Sequence, residues 1–241
     1  MSYRINHFLS KSGVCSRRAA DRLVRQGRVR VNQQPALLGM KVAAEDDVRL
    51  DGHPVVLVEN QYFYRLYYKP RGVVCTQNLA VDGNLLTAIK PMQTSTWPNY
   101  FFAVGRLDKD SEGALLLTNN GTLTNCLLNE NKTLPKRYLV TVTPQVTDEF
   151  LEKMSAGVEI LDQVTEPCRV FRLSEQIIQI ELTQGLNRQI RRMCQALGYQ
   201  VQRLIRIEFA GLGINHLPAG NIRPLCANEI AKIESLSKNK P

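Results

Sequence analysis

The chain of 241 residues is 44% hydrophobic and 22% charged, an ordinary globular mix that supplies a core and excludes general disorder. No apolar run approaches the ~18 residues of a membrane-spanning helix, and the opening Met1-Ser-Tyr-Arg-Ile-Asn has no apolar signal core, so a cytoplasmic protein without membrane contact is expected. A net charge of +9, from 31 Lys and Arg against 22 Asp and Glu, favours a polyanionic partner.

Most of the excess charge lies at the front. Residues 1–30 carry eight basic side chains (Arg4, Lys11, Arg17, Arg18, Arg22, Arg25, Arg28 and Arg30) against the single acid Asp21. Ile5, Phe8 and Leu9 have the spacing of a helix that Gly13 ends. Ser16 caps a predicted second helix that runs to about Gln26, with Gly27 as its stop. There Ala20, Leu23 and Val24 form an apolar stripe, while Arg18, Arg22 and Arg25 share another face. Short strands follow at 29–31 and 48–50, the second before an Asp51-Gly52 turn. A row of arginines on one helix is as often a solvated face as a binding surface. With one acid in thirty residues, phosphate binding gains; such contacts position a molecule without reading its bases.

The composition then changes. Residues 59–61 read as a polar linker, and 62–68 as an aromatic strand stopped by Lys69-Pro-Arg-Gly72. Further strands are predicted at 100–104, 115–118, 138–142, 170–173, 177–182 and 203–209. Helices are predicted at 123–128, 147–156 and 188–197, the last capped by Asn187 and stopped by Gly198. Strands outnumber helices without strict βαβ alternation. The expected fold class is α+β: a small basic domain over 1–58, then a mixed, largely antiparallel sheet with peripheral helices over 62–234, and a polar tail over 235–241.

Six cysteines stand at least 26 residues apart, with no C-x-x-C, and His7, His53 and His216 are isolated. No metal site is expected, and the cysteines read as reduced thiols.

Three segments carry chemistry. In Val104-Gly-Arg-Leu-Asp-Lys-Asp-Ser-Glu-Gly-Ala-Leu-Leu-Leu-Thr-Asn-Asn-Gly121, two apolar runs flank a loop that presents Arg106, Asp108, Lys109, Asp110 and Glu112. Catalytic groups sit on such loops, although a solvated connection whose acids cap backbone amides has the same look. Lys136-Arg-Tyr138 opens a strand, where a tyrosine is more often packing than chemistry. Gln184-Gly-Leu-Asn-Arg-Gln-Ile-Arg-Arg192 places Arg188, Arg191 and Arg192 at the start of a helix, where cations oppose the macrodipole and imply an anion nearby. From Gln184 to Ile207 the chain adds Arg203 and Arg206 and no acid, which predicts a second positive surface.

Arg4-Ile-Asn-His-Phe-Leu-Ser-Lys-Ser-Gly-Val-Cys-Ser-Arg-Arg18, followed by Gly27-Arg-Val-Arg-Val-Asn32, resembles an S4 (αL-type) RNA-binding domain. His7 is a departure, since related domains often have Lys there. Gly105-Arg-Leu-Asp108, Lys136-Arg-Tyr138 and Gln189-Ile-Arg191, preceded by Lys69-Pro-x-Gly72, resemble in order and spacing the RsuA-type ribosomal RNA pseudouridine synthases. The likeness runs to about Leu225 and is greatest to the F-type branch, which acts on the large ribosomal RNA. It implies a 23S rRNA substrate, with tRNA as a second in some members. That branch often carries a longer basic C-terminal extension than this chain has, so contacts made by such a tail are not expected here.

The resemblance further implies a site. Asp108 would be the catalytic carboxylate, by covalent attack or by proton abstraction from the sugar. Arg191 would pair with it and keep it ionised against burial. Tyr138 would stack on the target base, and Arg106 would enter the helix as the uridine flips out, with Leu107 holding the loop. Lys69, Arg188 and Arg192 would contact the substrate RNA. Arg4, Lys11, Ser16, Arg17, Arg18, Arg22 and Arg25 would form the S4 grip. No cofactor is implied, and a monomer is expected. The competing expectation is a non-catalytic RNA-binding or ribosome-assembly protein on the same fold. A DNA-binding protein is weaker still, since no helix-turn-helix pattern is present.

Overall fold

The computed structural model describes residues 2–57, 62–98, 100–129 and 134–238, so the predicted linker at 59–61 lies outside it. The chain divides into two compact units, residues 1–63 with 95–101 and residues 64–94 with 102–241. Residues 95–101 thus group with the front unit. The reason is aromatic: Phe63, Trp97 and Phe101 pack with ring centroids 4.7–5.6 Å apart.

The front unit comprises β1 (Ser2–Arg4), α1 (Ile5–Lys11), α2 (Arg17–Arg25), β2 (Val29–Val31), β3 (Gln34–Pro35), β4 (Lys41–Ala43), β5 (Val48–Leu50) and β6 (His53–Pro54). Strands β3-β2-β5-β6 form one sheet, and β1 pairs with β4. The expected helix signals operate as read. Ser16 Oγ accepts the Ala19 N–H at 3.1 Å, and Gly13 and Gly27 take the positive φ that lets the chain leave each helix. Ile5, Phe8, Leu9, Ala20, Val24, Val29, Val42 and Val48 bury at least 95% of their surface as one core. Each large apolar side chain buried this way contributes about 1.5–3 kcal/mol.

The second unit comprises β7 (Tyr64–Lys69), α3 (Leu85–Ile89), β8 (Phe102–Val104), β9 (Glu112–Thr118), α4 (Gly121–Leu127), β10 (Lys136–Thr143), α5 (Asp148–Ala156), β11 (Glu159–Ile160), β12 (Gln163–Val164), β13 (Arg169–Arg172), β14 (Ile177–Leu182), α6 (Gln189–Ala196), β15 (Gln200–Phe209), β16 (Leu212–Gly213), β17 (Ile222–Pro224) and α7 (Ala227–Lys238). Among the described residues, nine strands make one sheet in the order β13-β14-β10-β15-β9-β7-β17, with β8 beside β9 and β16 beside β15. Its pairs are antiparallel except β9 with β15, so the expected mixed, largely antiparallel sheet is what forms. Helices cover it: α5 and α6 pack on one apolar cluster with Val140, Ile178 and Leu204, and α4 and α7 on another with Leu66 and Leu116.

Residues 235–238 belong to α7 rather than to a polar tail. Ile230 and Ile233 lie one turn apart, and Ile233 is fully buried, which anchors a largely polar helix. No helix among the described residues is long and apolar enough to cross a membrane.

Candidate active site

The site is set by a change of neighbours along β9. One edge of β9 pairs with β7 from Tyr64 to Lys69. The other edge pairs with β8 at Leu116–Thr118, but with β15 at Glu112 and Gly113. The 105–111 loop leaves the sheet where β8 gives way to β15. Only glycine fits at 113, where φ is +112° and an added Cβ would lie 2.2 Å from the Arg206 carbonyl oxygen.

Several contacts hold the loop. Arg206, on β15 opposite Gly113 and only 3% exposed, donates from Nε to the Ala114 carbonyl at 2.8 Å and from Nη1 to the Arg106 carbonyl at 3.4 Å. It thereby ties both ends of the loop, with its guanidinium 4.9 Å from the Phe209 ring centroid. The Gly72 N–H donates to the Lys109 carbonyl, and the Leu107 N–H to Cys75 Sγ. Within the loop the Ser111 N–H donates to the Asp108 carbonyl. Below it, Arg203 grips Glu112 with two bonds of 2.8 and 3.0 Å, holding that nearly buried carboxyl below its usual range. This is not a solvated connection.

The loop faces a cavity of about 340 Å3, within the range of small-ligand sites. Arg106, Leu107, Asp108 and Ser111 line it from the loop, Lys136 and Tyr138 from β10, Leu204, Arg206 and Phe209 from β15, and residues 184–190 from the approach to α6. Tyr138 stands at a bulge: Arg137 faces Glu208 on β15, yet Tyr138 faces Arg206, so the register skips a residue at the cavity wall. Asp108 keeps 36% of its side chain exposed and is open to the cavity rather than sealed away from it.

Of the sequence-predicted residues, Arg106, Leu107, Asp108, Tyr138 and Arg188 meet on this cavity, and three others do not. Lys69 is fully buried and donates to the Pro70 and Val73 carbonyls at 3.0 and 2.8 Å. Burial pushes its ammonium pKa down, and it secures the turn rather than facing RNA. Arg192 bonds the Asn187 carbonyl and Oδ1 and is turned off the cavity.

Arg191 makes no direct pair with Asp108. It donates to the Asp110 carbonyl at 3.1 Å and the Val201 carbonyl at 3.4 Å, and its Nε is buried without a partner. Burial lowers its pKa, against the pull of Asp110 and Asp108, so it acts on Asp108 through the field and through the loop backbone. The nearest cation to Asp108 is Arg188, with Nη1 3.8 Å from Oδ2. The cause is backbone geometry: Arg188, not Asn187, occupies the cap position of α6, in the left-handed region (φ 51°, ψ 33°). The predicted shared face of Arg188, Arg191 and Arg192 is broken at that residue.

The predicted second positive surface is reduced: Arg203 stays exposed but is paired to Glu112, and Arg206 is buried. Sequence reasoning does not assign Ser111, Lys136 or Arg206 to the site. A signal exists for Arg206, because strand alternation places it on the same face as Leu204. Ser111 Oγ and Arg206 Nη2 are both buried on the cavity wall without partners.

In the front unit, Arg4, Arg17, Arg18, Arg22 and Arg25 are exposed, and none forms an ion pair among the described residues. Arg28 is neutralised by Asp51. Lys11 leans on Tyr3, donating to its hydroxyl at 3.0 Å, and Ser16 is occupied as a helix cap.

A carboxylate presented on a clamped loop to a small-ligand cavity is the arrangement of an enzyme site. The family model described as RNA pseudouridylate synthase matches residues 64–196, and that of the S4 domain matches residues 4–48. The chain belongs to the RNA pseudouridylate synthase family, in its S4-bearing form. It is 38% identical over 239 residues to the "Dual-specificity RNA pseudouridine synthase RluF" of Escherichia coli (strain CFT073), spanning 99% of this chain and 80% of that protein. It is 33% identical to the "Ribosomal large subunit pseudouridine synthase B" of Bacillus subtilis, spanning 97% and 96% of the two chains. A crystal structure of a pseudouridylate synthase, 24% identical, matches with a TM-score of 0.68 over 95% of this chain and 99% of that one, and so has the same fold.

Proposed function

We propose that this enzyme isomerises a specific uridine of ribosomal RNA, in the large-subunit (23S) rRNA, with tRNA as a second substrate. It works as a cytoplasmic monomer whose front unit grips RNA over residues 1–58. The observation that carries the reading is the convergence of Asp108, Tyr138 and Arg106, from one loop and one distant strand, on a single cavity. The printed names of the relatives support the RNA class.

In this reading the target nucleotide leaves its stack and enters the cavity, at a cost of a few kcal/mol. Arg106, exposed at the rim, takes its place in the helix, and Tyr138 stacks on the base. The C1′–N1 bond breaks, the uracil turns, and a C1′–C5 bond forms; the C5 proton departs and N1 gains one. Asp108 starts the sequence at the sugar, by attack on the ribose or by removing a proton from it. Either role uses the carboxylate of Asp108 where it opens to the cavity, 3.8 Å from the Arg188 guanidinium in the free enzyme. The test is to map pseudouridines in rRNA and tRNA from cells with and without the gene. Loss of one pseudouridine from 23S rRNA and of one from tRNA supports the reading; loss from 23S rRNA alone removes the tRNA substrate, and an unchanged map contradicts the reading.

A further inference from the structure

At the cavity, the side chain of Arg188 joins the start of α6 to the loop's carboxylates. Arg188 Nη2 lies 3.0 Å from Asp110 Oδ2, and Nη1 lies 3.8 Å from Asp108 Oδ2. The Asp110 carboxyl is held below its usual range chiefly by that Arg188 bond. All three side chains are between 36% and 40% exposed. Ion pairs this exposed are weak, so they hold a geometry without locking it. A phosphodiester offers a guanidinium the same two-oxygen face as a carboxylate, and competes for it on equal terms.

The neighbouring arginines have no such freedom. Arg191 is fixed by the backbone carbonyls of Asp110 and Val201, and Arg192 by Asn187. Arg188 alone among these three is held by carboxylates, both on the catalytic loop. Its left-handed backbone, a positive φ shared with seven other non-glycine residues among those described, sets the direction in which the side chain leaves the start of α6.

We propose that Arg188 is a displaceable clasp, bridging Asp110 and Asp108 in the free enzyme and moving to the phosphate of the extruded nucleotide when RNA binds. The proposal rests on Asp108 being the catalytic carboxylate. Its consequence is competition: Asp110 and RNA contend for one guanidinium.

The experiment measures binding of the full-length protein to an rRNA fragment containing the mapped uridine, across a salt series. The variants are Arg188→Asn, Arg188→Lys, Asp110→Asn and the double variant Asp110→Asn/Arg188→Asn. Asn tolerates the left-handed backbone, so the fold is kept. Arg188→Asn is expected to weaken binding by about three- to tenfold and to flatten the log–log salt slope by about 0.7–0.9, the share of one phosphate contact. Arg188→Lys retains most of the slope, and Asp110→Asn binds more tightly than the wild type. The double variant behaves as Arg188→Asn alone, because Asp110 has nothing left to withhold. An unchanged slope in Arg188→Asn overturns the clasp, as does an Asp110→Asn gain that persists without Arg188. Turnover of Asp108→Asn on the same fragment reports separately on the catalytic reading, whichever way the slopes fall.

Discussion

Replacing Asp108 by Asn is expected to lower pseudouridine formation at least about a thousandfold, some 4 kcal/mol of barrier, while RNA binding survives. The amide has the carboxylate's shape but cannot attack the ribose or accept its proton at neutral pH. Stability is nearly unaffected, because the Asp108 side chain is 36% exposed and its nearest cation, Arg188, stands at 3.8 Å. A pair of that exposure contributes less than about 1 kcal/mol to folding. Loss of turnover in a folded, RNA-binding variant therefore separates chemistry from structure. Continued turnover would remove Asp108 from the mechanism.

The second large effect belongs to the front unit. Changing Arg17, Arg18, Arg22 and Arg25 together to Gln is expected to weaken RNA binding on the order of a hundredfold at physiological salt and to flatten its salt dependence by about three units. These side chains are exposed on α2 and make no ion pair among the described residues, so their removal costs little folding energy. Glutamine is nearly as good a helix former as arginine, and the Ser16 cap and the Ala20 and Val24 core contacts remain. Turnover at saturating RNA is retained, since Asp108, Tyr138 and the cavity lie in the second unit. A salt slope equal to that of the wild type would show that this helix is not the grip.

The parts of the fold legible in the sequence are those governed by local rules. Ser16 caps the helix it precedes, β14 alternates between buried and half-buried residues, and Gly13 and Gly27 stop helices because they supply positive φ. The site loop is legible because five charged residues fall between two apolar strands. What escapes depends on non-local pairing. Arg203 meets Glu112 and Arg206 meets the Arg106 carbonyl across roughly a hundred residues, so both look like free surface charge in the sequence. Lys69 enters the site only through the resemblance; lysine is almost never fully buried, and nothing in the sequence shows that two backbone carbonyls in a tight turn bury it here. Nothing local marks Arg188 for the left-handed region, and that one residue shifts the helix start and exchanges which arginine faces Asp108. Helix α7 is harder to see, its Ile230 and Ile233 spacing masked by serines and lysines.

The most direct test is a structure of the enzyme with an RNA fragment carrying its target uridine, trapped as the Asp108→Asn variant. The expected result is a uridine extruded into the cavity beside Tyr138, with the residue-108 side chain about 3–3.5 Å from the ribose and Arg188 on the phosphate. A uridine still stacked in the RNA, or bound away from the 105–111 loop, would contradict the mechanism.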